Sequence, residues 1–172
     1  MATLNILEEH RKLTDSAEIK AYLHNIGVNY EQWQLSYLVT KDSTPDEILN
    51  AYASKIEVTK QAGGYITADV IDIDADIPSI DAMLAKFRRE HWHDEDEVRF
   101  TIEGHGVFYI NPQTSPVVSV EVAAGDLLVV PKGTLHWFDL CSDRRIRAIR
   151  LFQDSSGWMP HYTVCVAKNQ YG

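Results

Sequence analysis

At Glu90 the hydrophobic period of this chain changes, and that switch limits the folds open to it more than any other feature. Beyond it, Val98, Phe100 and Ile102 alternate with Arg99 and Thr101, the period-2 pattern of a strand with distinct faces. A Glu103-Gly104-His105-Gly106 turn is expected to lead into a strand at 107–110. Further strands are expected at 117–122, closed by an Ala124-Gly125-Asp126 turn, and at 127–130, 135–140, 145–153 and 162–166. Many short strands joined by Gly/Pro turns predict a mainly β, antiparallel sandwich or barrel.

Before Glu90 the spacing is helical. Asp15 with Glu18 three residues on forms a capping box, and Ile19, Tyr22, Leu23 and Ile26 follow until Gly27. Thr44, Pro45 and Glu47 begin a second helix with Ile48, Leu49, Tyr52 and Ile56 as its buried stripe, ended at Gly63-Gly64. Ile80, Met83, Leu84 and Phe87 predict a third, short helix between Ser79 and Arg89, and a strand is expected at 65–73. The helices would pack outside the β core. With 172 residues one domain is expected, its helical and strand-containing part at about 1–89 and its barrel core at about 90–166.

The formal net charge of -9 argues against a nucleic-acid partner, so an anionic substrate needs local cations to draw it in. Cys141 and Cys165 form no CxxC pair and fit a reducing compartment. No stretch approaches the ~18 apolar residues of a membrane span. The opening MATLNILEEHRK carries acids where a secretory segment would be apolar. A cytoplasmic protein, free of membrane and nucleic acid and expected to be a monomer, follows.

The chemistry concentrates where the period changes. His91 and His93 point to one face of a strand, and Glu97 keeps their parity if that strand is continuous; a bend at 94–96 would break the parity without dispersing the group. Downstream, Pro131-Lys132-Gly133-Thr134-Leu135-His136 delivers a further imidazole on another strand after a rigid turn. Three imidazoles and a carboxylate suit a divalent first-row transition ion. His10, His24, His105 and His161 lie outside the pattern and read as structural or surface residues.

These residues resemble the cupin superfamily, whose motifs are G-x5-H-x-H-x3,4-E-x6-G and G-x5-P-x-G-x2-H-x3-N. His91, His93, Glu97 and Gly104 match the first, and Gly125, Pro131, Gly133 and His136 match the second. Ala85 and Leu140 stand where the leading glycine and final asparagine would be, neither of them a ligand. The fold implied is a cupin-type antiparallel β-barrel, jelly-roll-like, with helices outside. The flanks narrow the resemblance. Glu90-His91-Trp92-His93-Asp94-Glu95-Asp96-Glu97-Val98-Arg99-Phe100, Ile149-Arg150-Leu151-Phe152 and Gly157-Trp158 look like the acireductone dioxygenase family.

That resemblance implies a metal-dependent dioxygenase of methionine salvage, cleaving 1,2-dihydroxy-5-(methylthio)pent-1-en-3-one with O2. It implies 4-methylthio-2-oxobutanoate and formate with Fe(II), or 3-methylthiopropanoate, formate and carbon monoxide with Ni(II). His91, His93, Glu97 and His136 would hold one ion per chain. Arg99, of Glu97 parity, would serve catalysis by favouring the substrate anion through charge and forked hydrogen bonds. Arg150 lies on an otherwise apolar face with Ala148 and Phe152, where an unpaired charge is costly. It reads equally as a substrate contact or as the partner of a buried acid. Phe87 and Trp158 are candidate walls for the methylthio tail, although Phe87 suits core packing as well. Glu90, Glu95 and Asp96 match positions of supporting character, able to orient ligand imidazoles. The alternatives are another metal-dependent cupin oxygenase, which would keep the ligands and discard Arg99 and Glu95, or a non-catalytic small-molecule-binding cupin.

Overall fold

The computed structural model describes residues 1–154 and 158–163. Eleven strands and four helices follow in the order β1 (Thr3–Ile6), β2 (Arg11–Leu13), α1 (Ser16–Asn25), β3 (Asn29–Gln32), α2 (Pro45–Ala51), α3 (Ala53–Gly63), β4 (Thr67–Ile73), α4 (Ile80–Phe87), β5 (His91–Trp92), β6 (Glu97–Asn111), β7 (Val118–Ala123), β8 (Asp126–Val130), β9 (Leu135–Leu140), β10 (Ile146–Phe152) and β11 (His161–Tyr162). The expected strand at 162–166 is described only to Tyr162 within β11; Val164, Cys165 and Val166, like Gly157, lie outside the described residues.

Every strand pairing is antiparallel. One sheet runs β11-β5-β9-β6-β7-β1-β2; the other joins β4 to β10, β10 and β8 to β6, and β3 to β8. The hydrogen-bonded order does not close on itself, yet the mainly β, cupin-like architecture expected from the sequence holds. Strands from the helix-bearing half enter both sheets: β1 pairs with β7, β3 with β8 and β4 with β10. Periodicity did not single out β1 to β3, which are only three or four residues long.

The expected turn at 103–106 is absent. β6 instead runs unbroken for 15 residues and belongs to both sheets. Its first half pairs with β8 and β10, its second with β7 and β9. Gly104 makes the passage possible. It takes φ +76, and a Cβ there would strike the Arg145 backbone carbonyl; the β6–β10 register slips two residues before it, at Ile102. A close approach beside a bulge, not a reversal, is what this glycine encodes.

Two apolar clusters lie on opposite faces of the second sheet. Leu128, Val130 and Ile146 join Phe108, Ile110, Val120, Phe138, Leu4 and Ile6 in the interior, backed by α1 and α4. Val98, Phe100, Leu127, Ile149 and Leu151 are covered from outside by Ile48, Tyr52 and Ile56. The odd-numbered residues at the start of β6, Glu97 and Arg99, therefore face inward. The helix expected between Thr44 and Gly63 is two. Thr44 caps the first, accepting from the Glu47 amide at 3.2 Å, and Asp15 caps α1 in the same way. Tyr52 leaves helical geometry at φ -108, ψ 14. Its ring meets Phe100 edge-on at 5.1 Å while its hydroxyl accepts from the Ser36 amide, and those two anchors hold it at the break.

Gly104→Ala is expected to lower unfolding free energy by at least about 2 kcal/mol, since left-handed strain adds to a backbone collision. Gly27→Ala, also at positive φ but with nothing within 4 Å of the added Cβ, should cost only about 1 kcal/mol. Urea unfolding of the two variants measures the difference, and equal losses would contradict the role given to Gly104.

Candidate metal centre

His91 on β5 stands directly opposite His136 on β9, and Glu97 opens β6. His93 lies in the bend between β5 and β6, so strand parity is broken there. The bend nevertheless returns His93 to the group. One donor atom from each of His91, His93, Glu97 and His136 lies within 4.8 Å of the other three, and all four residues are buried. The Pro131 turn is tied to this bend, because Gly133 donates its amide to the His93 carbonyl at 2.9 Å and Lys132 donates its own to Asp96 at 3.0 Å.

The imidazoles are oriented by main-chain carbonyls. Nδ1 of His91 meets Arg89 O at 2.6 Å, Nδ1 of His93 meets Met159 O at 3.1 Å, and Nδ1 of His136 meets Thr134 O at 2.8 Å. A carbonyl only accepts, so each Nδ1 carries the proton and each neutral ring presents an unprotonated Nε2. For His93 and His136 that nitrogen points at Glu97 Oε2, at 3.2 and 2.7 Å. Two lone-pair atoms at such distances repel unless a proton or a cation lies between them. The donor set therefore fits a divalent ion, and it fits the neutral tautomer that such an ion requires.

The convergence on Glu97 also shifts the group's titration. Burial by itself would push the Glu97 carboxyl up, but the close His136 and His93 imidazoles and the Arg99 charge hold it well below the usual carboxylate range. Burial, reinforced by His136, lowers the His91 imidazole to about 4. Burial would lower His93 too, but the close Glu97 carboxylate raises it instead, favouring positive charge at the place where a cation would sit between the two.

Arg99 is buried beside the group. Nη2 donates to Glu97 Oε1 at 3.0 Å, while Nε and Nη1 find no acceptor among the described residues. Burial lowers its pKa. Its guanidinium lies against the Phe138 and Trp158 rings, 4.8 and 5.7 Å from their centroids. On β10, Arg150 stands opposite Arg99 of β6 and Asp69 of β4. It forks onto Asp69 with bonds of 2.9 and 2.6 Å and also lines the cavity. Arg150 thus pairs with an acid, but a partly exposed one and not the buried acid expected, while still facing the cavity.

The cavity holds about 190 Å³ and is lined by the four clustered residues together with Lys86, Phe87, Arg99, Phe138, Arg150, Trp158, Pro160 and Tyr162. Phe87 meets Phe138 edge-on at 6.3 Å, and Trp158 packs on Phe152 at 4.7 Å. Phe138 went unnamed in the sequence, although its place two residues from His136 on one strand face is a signal that could have found it. Lys86, Pro160, Tyr162 and the Met159 carbonyl gave no such signal. Glu90, Glu95 and Asp96 make no described bond to a ligand imidazole. Glu90 accepts from Asn111 and Thr163, Glu95 from the Gln153 and Asp154 amides, and Asp96 from Tyr65 and the Lys132 amide. They brace the chain around the ligands.

An antiparallel, cupin-like β fold enclosing a buried group of three histidines and a glutamate defines a metal-binding cupin. A family model described as the ARD/ARD' family matches residues 2–160, and the chain belongs to that family. It is 42% identical over 171 residues to an acireductone dioxygenase of Picosynechococcus sp., covering 99% of this chain and 97% of the relative. With that of Exiguobacterium sibiricum the identity is 38% over 170 residues, covering 94% and 95%. Among solved structures, an acireductone dioxygenase from Bacillus anthracis with a cadmium ion in its active centre superposes with a TM-score of 0.87 at 34% identity, covering 94% of this chain and 98% of that one.

Asp69→Asn tests how far the Arg150 fork is structural. The pair is partly exposed, so the expected loss is no more than about 1 kcal/mol of unfolding free energy, with metal content unchanged. A larger loss in chemical denaturation would make the fork a principal support of the barrel wall.

Proposed function

We propose that this chain is an acireductone dioxygenase, cleaving the methylthio enediol with O2 at the His91, His93, Glu97 and His136 cluster. The observation that carries the reading is the convergence of outward-braced imidazoles on one buried carboxylate, in a chain of the ARD/ARD' family. Those four residues would hold one Fe(II) or Ni(II). The ion, when bound, supplies Lewis acidity and a template for an enediolate.

The chain's own residues do the rest. Arg99 has two buried donors without an acceptor among the described residues, and a substrate oxyanion is the ligand that would satisfy them. Its charge favours the ionised over the neutral enediol, which lowers the substrate's pKa in the cavity. Arg150 and Lys86 add positive charge to the lining against the overall -9. Phe87, Phe138 and Trp158 offer an apolar wall to a thioether tail and keep bulk water from the enediolate. Glu90, Glu95 and Asp96 keep the ligand-bearing bend in register with its neighbours.

We further read the protein as one cytoplasmic domain spanning 1–172 and acting as a monomer on small molecules. No helix among the described residues is long and apolar enough to cross a membrane. The net charge of -9 disfavours nucleic acid.

Anaerobic mixing of reconstituted enzyme with acireductone, followed by oxygen, is expected to release formate with either ion and carbon monoxide with Ni(II) only. No formate with either ion would end this reading. His136→Ala should weaken metal binding at least about 100-fold, seen by elemental analysis after gel filtration. Arg99→Met should keep its metal yet lose about 100-fold or more in turnover, as a missing anion-stabilising donor does. Full turnover by that variant would remove Arg99 from the mechanism.

A further inference from the structure

The outer face of the first sheet carries a second cluster of metal-ligating side chains, at the far side of the strands from the cavity. Register places it there. Val107 of β6 stands between Glu121 on β7 and Asp139 on β9, and His105 lies two residues back along the same face. Cys141 lies two residues beyond Asp139, just past the end of β9. A ring nitrogen of His105, a carboxylate oxygen of Glu121 and the Cys141 sulfur lie within 4.8 Å of one another. The sequence alone marks His105 as a surface residue and Cys141 as an unremarkable thiol.

A second, independent feature points to a ligand. His105 Nε2 meets Asp143 Oδ2 at 2.8 Å, which assigns the ring proton to Nε2 and leaves the neutral ring's lone pair on Nδ1. That atom is the one nearer Glu121, 3.4 Å from Oε1, longer than an ordinary N–H···O bond. A carboxylate on the remote nitrogen of an imidazole whose other nitrogen faces further donors is the arrangement that orients metal-bound histidines. The main chain holds the ring in place, because the His105 amide donates to Arg145 O at 3.0 Å and Arg144 donates to Cys141 O at 2.9 Å.

We propose that His105 Nδ1, Glu121 and Cys141 form a second divalent-cation site, with Asp143 orienting the imidazole. Sulfur, nitrogen and oxygen donors together select a borderline ion such as Zn(II) or Co(II), with a remaining position open to solvent. Binding forms the metal–sulfur bond as the S–H bond breaks, and the proton leaves to solvent. Burial, then the charges of Glu121 and Asp143, push the free thiol up to about 11. The cluster is therefore rich in negative charge, and Arg88 is already engaged by Asp139. A cation bound here ties the turn after β9 to β6 and β7.

Co(II) titration of the holoenzyme, already carrying its one equivalent of metal, tests the site. The expected result is a near-ultraviolet thiolate-to-cobalt charge-transfer band that saturates at one further equivalent, with proton release. Among the described residues lining the candidate catalytic site there is no thiol, and the Cys141 variant separates this cluster from Cys165. Cys141→Ser should abolish it, although Cys165 is retained. Glu121→Gln should weaken binding at least about tenfold. Unchanged metal at the first site verifies that both variants fold. No band, or a band that persists in Cys141→Ser, overturns the proposal and leaves His105 as an imidazolium bridging two surface carboxylates.

Discussion

A carboxylate with 4% of its surface exposed sets the terms for this protein. Glu97 cannot remain ionised in such a place without close positive or hydrogen-bonding partners. Its two oxygens meet different ones: Oε1 accepts from Arg99, and Oε2 faces His93 and His136. Each partner in turn needs its own position secured, and carbonyls of Arg89, Thr134 and Met159 do this for the imidazoles. Those carbonyls come from loops in three parts of the chain. The integrity of the centre is thus a property of the whole barrel end.

β6 explains how a polar centre sits inside an apolar barrel. Its first residues are buried on both faces, with α2 and α3 over Val98 and Phe100 and the cavity beneath Glu97 and Arg99. The exterior helices therefore do more than cover a sheet. They let the apolar side chains of β6 turn outward, so that the charged ones occupy the interior. The bulge at Ile102 and the close approach at Gly104 then carry the same strand into the other sheet, where even-numbered Phe108 and Ile110 face the core.

The ligand residues were legible because two strand-borne histidines and a turn-borne one have spacings that chemistry restricts. Arg99 was legible from parity with Glu97, since both lie on regular strand. What escaped depended on long-range register or on the backbone. Tyr162 reaches the cavity because β11 pairs with β5, placing it opposite His91, and no local pattern encodes that pairing. Main-chain carbonyls have no sequence signature, so their bonds to the imidazoles could not be read beside the acidic residues expected to support the site. Gly104 was read as a turn because positive φ serves reversals and bulges alike. The strand pairing on either side decides between them.

The row Asp69–Arg150–Arg99 across β4, β10 and β6 carries the last step. Two arginines directly opposite repel, and this pair is tolerable because each has an acid of its own. The balance is uneven. Asp69 engages Arg150 through two nitrogens, whereas Glu97 engages Arg99 through one. Asp69 is also half-exposed and screened by water, whereas Glu97 must serve the imidazoles as well. Arg99 is accordingly the undercompensated cation of the row, with donors that meet no acceptor among the described residues in a buried, aromatic setting. An anion entering the cavity relieves that deficit, and a neutral molecule of the same shape does not. Under the proposed function, selectivity for an ionised enediol over its neutral form would follow from this asymmetry, without any contact to the rest of the substrate.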